Sequence, residues 1–552
     1  MQQPGELRAM VHAYLSRFAR HEGGSTAIVF ALTLIPIVFA AGAALDYTRA
    51  SDLRTKLQVA TDSTLLSLCQ ASTTLTADDL HAMAKKAVAA FVPSATVDRP
   101  VVATDPRKIT LTTRASYDTT FARVSGITTM DLSATGGCSA EERFFEIALA
   151  LDTTGSMAAS SGSMSKIDAL KKAATDFINF TETYPTLKGR TKVALVPFSA
   201  AVAVDPATYR NAPWVDQGGK SSLHWANLDP TGTGLKSRLD AFTKLRSAYL
   251  GWDWAGCFES LPYPLNTQDG KPDALVSTDS LYVPMFAPDE AGSGGSTSHT
   301  ETSSGRTQYT ANSYISDRNN LAGCDTNPPD DKTRMRRGCK YLSPQGVTTS
   351  SGRGPNYMCR SRPLTRLTDS TSTLKREIGY LDANGNTNIH EGLLWGWRTL
   401  SPDSVFGDGV PYGQKNTTKV LILMTDGMNT WGAASNTLLK SIYSAYGYWT
   451  NADGTTPNKR LPPNNANPTN DAQARAAMDA LVRETCANAG KKVIIYTIGF
   501  SVASDPIDQQ GLKLLSDCAG STDRAIVAND ADGLIKAFQK IAKSIGTLRL
   551  TQ

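Results

Sequence analysis

The stretch Phe144–Met157, FFEIALALDTTGSM, decides how the rest of the chain is read. Its apolar run, broken only by Glu146, has the pattern of a strand buried on both faces of a parallel sheet. It ends in Asp152-Thr153-Thr154-Gly155-Ser156, which puts a carboxylate and two hydroxyls at alternate positions in the turn after the strand. In open α/β sheets, ligands bind in the crevice beyond the carboxyl ends of strands. One Asp with paired hydroxyls is a hard-oxygen set suited to Mg2+. The same residue types also cap the helix that follows a strand, so this string alone leaves both readings open.

Two further stretches bear on the choice. Gly385-Asn386-Thr387-Asn388 offers another hydroxyl at a helix start, ahead of the helical pattern Ile389–Leu400. Lys419–Asp426, KVLILMTD, is a second buried strand ending in an Asp-Gly turn. In this order and context the pieces resemble the von Willebrand factor A domain. That family binds a divalent ion at a metal-ion-dependent adhesion site written D-x-S-x-S … T … D, and the matching positions here are Asp152, Thr154, Ser156, Thr387 and Asp426. Thr154 stands where the family most often has Ser, and it keeps the hydroxyl. The resemblance implies Mg2+ (or Mn2+ or Ca2+) at these five residues. Few direct carboxylates leave such an ion electron-poor and open to an acidic side chain of a partner. No base stands at motif spacing to deprotonate a bound water, so the site reads as one for binding, and the chain as no enzyme.

At 552 residues the chain allows several domains and ample core. Its 56 basic and 51 acidic residues give a net charge of +5, too mild to argue for nucleic acid. Eight cysteines with no C-x-x-C pair count against a zinc ribbon or a thioredoxin-like site, and suit disulfides in an oxidising compartment or scattered free thiols. Six scattered histidines lack H-x-x-x-H spacing, Ser156 has no nucleophile-elbow context, and no P-loop or Rossmann glycine pattern precedes a helix.

Residues 1–24 are polar and carry Arg8, Arg17, Arg20 and His21; Ala27–Leu45 then runs without a charge for 19 residues, about enough to span a bilayer as a helix. Pro36 within it is tolerated in membrane helices. The competing reading is a cleaved signal peptide, for which Ala41-Gly42-Ala43-Ala44 offers a small-residue site, although the run exceeds a usual apolar signal core. We take 25–45 as a single-pass anchor with the basic N-terminus inside. The stretch Gly23–Leu68 also resembles the N-terminal segment of TadG-like proteins of tight-adherence (Flp-type) pilus assembly, through Asp46, Tyr47, Arg49, Gln58, Ala60 and Asp62. Glu22 precedes the glycines instead of following them, so no prepilin-peptidase pattern is present and the chain is not read as a pilin subunit. Further strings resemble the same family: Gly256-Cys257 with Glu259, Tyr282–Glu290, and Trp395–Pro402.

The expected architecture is α/β: residues 46–140 form a helix and α+β stalk, and 142–552 a doubly wound von Willebrand A-type domain. Asp78–Phe91 reads as a helix, Val101–Ala134 alternates like antiparallel strands, and Cys69 and Cys138 stand at the stalk's two ends, where a bridge is expected. Lys166–Thr183 is an amphipathic core helix, and Lys192–Val204 a strand with its hairpin partner. Two polar insertions, about 206–363 and 428–470, interrupt the domain; the first reads equally as a recognition surface or as an ornament. Within it Asp289–Asn312 reads as a mobile loop and Lys332–Lys340 as a solvated basic cluster. Cys486 and Cys518 flank the buried strand Lys492–Phe500 as a second candidate bridge, and Leu548–Thr551 is expected to pair as an edge strand or fold back onto the stalk.

The resemblances imply a non-enzymatic protein of the bacterial inner membrane, its bulk periplasmic, binding pilin or other pilus-assembly envelope proteins through an acidic residue. A surface adhesin for host or matrix ligands is the alternative, and a subunit whose A domain recruits an ATPase is a third.

Overall fold

The computed structural model describes residues 23–71, 75–104, 107–139, 143–292, 302–303, 306–307, 309, 311–316, 324, 330–349, 352–451 and 457–547. The chain divides into two compact units between Glu142 and Arg143. The basic residues before Glu22 and the Leu548–Thr551 pairing lie outside the described residues.

In the first unit a single helix, α1 (Gly23–Gln70), carries the apolar run and continues without a break into the stalk. Over Ile28–Phe39 its large apolar side chains are exposed, which fits a single-pass membrane anchor. Beyond Leu45 the same helix becomes one wall of a core, with Leu57, Ala60, Leu65 and Leu68 buried. The helix α2 (Ala77–Phe91) begins with a reciprocal cap between Thr76 and Asp79 and buries Leu80, Ala84 and Val88. The antiparallel sheet is built on β3 (Arg107–Asp118): β4 (Thr129–Ser139) runs along one side, and β1 (Thr96–Val97) and β2 (Val101–Thr104) share the other. Cys69 and Cys138 are bridged.

The second unit runs β5 (Phe144–Asp152), α3 (Lys166–Thr183), β6 (Thr191–Phe198), α4 (Arg238–Ala248), β7 (Thr365–Thr368), α5 (Thr371–Gly379), α6 (Ile389–Leu400), β8 (Thr417–Thr425), α7 (Asp471–Ala489), β9 (Ile494–Phe500), α8 (Gln509–Ala519), β10 (Ala525–Ala528) and α9 (Ala531–Thr547). The sheet order is β10-β9-β8-β5-β6-β7, parallel except for β7. This is a doubly wound α/β sheet. From β5 the chain moves outward to β6 on one side, and later to β8 on the other, so the topological switch point lies between β5 and β8.

Alternation along the strands explains the two layers. Phe145, Ile147, Leu149 and Leu151 of β5 join Val420, Ile422 and Met424 of β8 under α3, α5 and α9. Ala148 and Ala150 face the other way, with Leu421 and Leu423, under α6, α7 and α8. Small residues on this face admit a close helix. A Cβ on Gly392 would lie 2.3 Å from the Phe198 ring, and one on Gly396 3.2 Å from Leu421.

Three expectations are corrected. The hairpin partner of β6 is not Ser199–Val204 but β7, because the long insertion leaves at Val204 and returns at Pro363, splitting the hairpin; Leu364 N–H donates to Ala203 O at 2.8 Å. The insertion is neither ornament nor open loop. Its Trp252, Trp254, Phe258, Tyr282, Phe286 and Tyr341 belong to the same core as α6, where Arg398 stacks on Tyr282 and Trp395. The basic cluster is only partly solvated: Lys332 is exposed, but Arg334 and Lys340 are buried, and Lys340 Nζ donates to Asp289 Oδ2 at 2.9 Å. Asp289, Glu290 and Asn312, the ends of the expected mobile loop, are buried as well, while 293–301 lie outside the described residues. The bridges Cys257–Cys359, Cys324–Cys339 and Cys486–Cys518 complete the pairing.

The insertion holds buried groups whose protonation matters. His224 Nε2 accepts the backbone N–H of Arg238 at 2.8 Å, so the ring proton sits on Nδ1 and donates to Asp216 Oδ2 at 2.8 Å. Burial holds the His224 pKa below its ordinary value. Burial alone would raise that of Asp216, but the His224 contact and the N–H groups of Lys220 and Ser221 outweigh it and bring it to about 2. Both folded pKa values lie below the unfolded ones, so both groups stabilise the fold at neutral pH. The His224 contribution is lost as pH falls below about 6.5, and that of Asp216 as pH falls from about 4 towards 2. Replacing His224 by Asn should therefore lower the thermal midpoint at pH 7.5 and flatten its fall between pH 7.5 and 5 relative to the parent. Parallel midpoint-against-pH curves for the two proteins would contradict a neutral buried His224.

Candidate functional site

At the switch point, three loops meet at the carboxyl ends of β5 and β8. The first follows β5. Asp152 is fully buried; its Oδ1 accepts the Thr154 N–H at 2.8 Å and its Oδ2 the Thr425 hydroxyl at 2.6 Å. Thr154 Oγ1 and Ser156 Oγ are 3.0 Å apart, and Ser156 Oγ donates to Asp426 Oδ1 at 2.8 Å. Thus Asp152, Thr154, Ser156 and Asp426 form one chain of contacts, although the first three precede the last by some 270 positions.

Thr387 joins from the loop before α6. That loop is fastened to the first one by Gly155 N–H to Gly385 O at 2.9 Å and by Asn384 N–H to Thr153 O at 2.8 Å. Thr387 N–H donates to Thr430 Oγ1 at 2.8 Å, and Thr430 N–H returns to Thr387 O at 2.9 Å. Its hydroxyl faces Gly427, where an added Cβ would come within 3.7 Å of it. All five sequence-selected residues thus come to one end of the sheet.

Lys166 and Asp505 carry no sequence signal of a role here. Lys166 opens α3, is fully buried, and donates to Asp426 Oδ2 at 2.9 Å and Asp505 Oδ2 at 2.7 Å. A lysine at a helix start reads as solvated, and no local pattern announces a partner 260 positions away. Thr425 and Thr430 were missed for the same reason, each acting by holding another site residue, while Asn388, next to Thr387, caps α6 and accepts the Tyr446 hydroxyl.

Charge is unbalanced here. Burial pushes the Asp152 carboxyl up to about 7, with the nearby Asp426 charge adding to the effect. Burial also raises Asp426, against the pull of Lys166. Two buried carboxylates facing one lysine favour an added cation. The donor set is hard oxygen throughout. The Thr154–Ser156 and Ser156–Asp426 separations of 3.0 and 2.8 Å are hydrogen-bond lengths, which hold the three oxygens together. Among the described residues no group of three or more His, Cys, Asp or Glu is placed to hold a metal, so the hydroxyl-rich set is the candidate.

Residues 24–67 match the family described as "Putative Flp pilus-assembly TadE/G-like". The anchor segment is TadE/G-like. No curated protein matches the chain in sequence. Among solved structures, the PilB minor pilin from Streptococcus sanguinis is 14% identical, with 82% of this chain and 78% of that one covered and a TM-score of 0.32. The vWF domain of the type V pili tip protein Mfa5 from Porphyromonas gingivalis is 10% identical, covering 74% and 97%, with a TM-score of 0.31. A von Willebrand factor type A protein from Catenulispora acidiphila is 10% identical, covering 81% and 49%, with a TM-score of 0.25.

All eight tryptophans lie in the second unit, so their fluorescence reports its unfolding. Lys166→Met leaves buried carboxylates unpaired and should lower urea stability in EDTA by about 3–5 kcal/mol. Asp505→Asn removes only a half-exposed partner and should cost under about 1 kcal/mol. Equal losses would show that Lys166 serves Asp505 and not the site.

Proposed function

We propose that this chain is a membrane-anchored, non-enzymatic component of Flp-type pilus assembly. It sits in the bacterial inner membrane with its bulk in the periplasm, and docks protein partners through Mg2+ held by Asp152, Thr154, Ser156, Thr387 and Asp426. The observation carrying this reading is the convergence of those five hard-oxygen side chains at the switch point. The TadE/G-like anchor supports the pilus system, and four disulfides support an oxidising compartment for both units.

The ion would supply an electron-poor coordination position for a partner's carboxylate. The chain's own residues do the rest. Lys166 holds one oxygen of Asp426 and leaves the other to Ser156; Thr425 and the Thr154 N–H fix the Asp152 carboxylate; Thr430 and Asn388 set the Thr387 loop. No side chain of the set is poised as a base towards open solvent, since Asp152 and Asp426 are both buried and hydrogen-bonded.

Asp152→Ala should abolish Mg2+ binding by calorimetry on the detergent-solubilised full chain, with the tryptophan unfolding transition retained. Pilin or envelope proteins from the native cell should be captured by the parent in Mg2+ and not in EDTA. Capture by Asp152→Ala in EDTA equal to that of the parent in Mg2+ would sink metal-gated docking. Recovery of the protein at the outer surface would favour the adhesin reading instead.

A further inference from the structure

The hairpin β3–β4 of the first unit ends in Phe121-Ala122-Arg123-Val124-Ser125-Gly126-Ile127, a tip with one cation and no acid. β3 runs antiparallel to α1. Cys138 of the hairpin is bridged to Cys69 at the far end, Thr113 Oγ1 meets Thr61 Oγ1 at 2.7 Å midway, and Tyr117 hydroxyl reaches Asp46 Oδ1 at 3.3 Å at the near end. The tip is thereby delivered to the level where the uncharged run Ala27–Leu45 stops.

Two contacts fix it there. The Asp46 carboxylate accepts the backbone N–H groups of Thr120, Phe121 and Ala122, the closest at 2.7 Å. Burial alone would raise the pKa of Asp46, but these N–H groups and the Tyr117 hydroxyl outweigh it and hold it below its ordinary value. One turn earlier, a Cβ on Gly42 would lie 2.5 Å from Phe121 Cγ, so the Phe121 ring rests on the helix inside the apolar run. Three residues inside Leu45 is a depth of about 4.5 Å, comparable with the burial of interfacial helices. The tip's apolar side chains nevertheless face outward: Val124 is 85% exposed, Ile127 49% and Phe121 39%.

We propose that this tip is a membrane-interface wedge, seating Phe121, Val124 and Ile127 at the headgroup–acyl boundary beside the exit of α1. Arg123 lies among them to meet lipid phosphate, and the exposed Tyr47 flanks the same level on α1. The proposal rests on α1 being a membrane anchor. A helix alone fixes neither the rotation nor the tilt of the unit it carries; a second contact at the surface fixes both.

All eight cysteines are bridged, so a single added cysteine is a unique thiol. The full chain carrying Val124→Cys, Val38→Cys or Lys108→Cys is labelled with an environment-sensitive fluorophore and placed in phosphatidylcholine–phosphatidylglycerol vesicles with or without brominated acyl chains. Val38 marks the span, and Lys108 the exposed far end of β3. The Val124 probe should be blue-shifted and lose roughly half its emission to brominated lipid, while the Lys108 probe should be unaffected. Quenching at Val38 with a Val124 probe as water-like as Lys108 would overturn the wedge and leave the anchor standing. A Val124 probe blue-shifted but unquenched would mean that protein, such as a second copy, covers the tip, and would overturn it too. Quenching at neither Val38 nor Val124 would overturn wedge and anchor together.

Discussion

One buried carboxylate, Glu259, ties the two insertions of the second unit together. Arg238 Nη1 reaches it at 2.7 Å from within the first insertion, and Arg460 and the Tyr443 hydroxyl come from the second. None of these side chains has access to water. A charge buried so deeply is tolerable only when paired and hydrogen-bonded, and two guanidinium groups with a phenol supply both conditions. The consequence reaches the site. Arg460 also donates to Tyr446 O, and the Tyr446 hydroxyl meets Asn388 Oδ1 at 3.0 Å, next to Thr387. His390 adds a second link, between Tyr446 and Asn266 O. The loop that brings the third hydroxyl is therefore set by the insertions, through contacts made outside the sheet.

The site shows the opposite economy of charge. Around Glu259 two cations meet one anion; at the switch point two buried anions meet one lysine. The first arrangement is closed and structural. The second is left with negative charge, hydroxyls, and a carboxylate pushed up to about 7 by burial. Lys166 keeps Asp426 aimed while engaging only one of its oxygens, so the other stays with Ser156.

Much of this was legible in the sequence because it depended on local pattern. The apolar runs at Phe144 and Lys419 announced buried strands, and the turn residues after them are side chains that the structure gathers at the switch point. What depended on long-range placement was not. Ser199–Val204 is apolar and continues β6 in sequence, so it mimics a hairpin partner; the true partner, β7, lies beyond the insertion and has only four residues. The Lys332–Lys340 cluster looked solvated because its counter-charge, Asp289, stands some 50 positions earlier. The Gly- and Ser-rich composition of the first insertion hid a core of widely spaced aromatics that pair only after folding. Its backbone is irregular, so no periodicity marked them. Gly256 is an instance: with φ +97° and Val204 O 2.0 Å from where its Cβ would be, it permits a crossing that no string predicts.

Asp46 shows how a single motif residue can carry several duties. In sequence it is the first charge after the uncharged run and one of the residues that carry the TadG-like resemblance. In the structure it is fully buried and works as an N-terminal cap for a turn on another element, taking backbone N–H groups of Thr120, Phe121 and Ala122. An ionised carboxylate at a bilayer boundary would be costly alone; those donors compensate it and hold its pKa down, so it remains charged. The adjacent Tyr47 stays exposed, free to sit in the interface. Position 46 therefore couples the point where the helix leaves the apolar run to the point where the hairpin turns. Moving either would break three backbone hydrogen bonds at once, which is why the acid belongs immediately after the span and not a turn later.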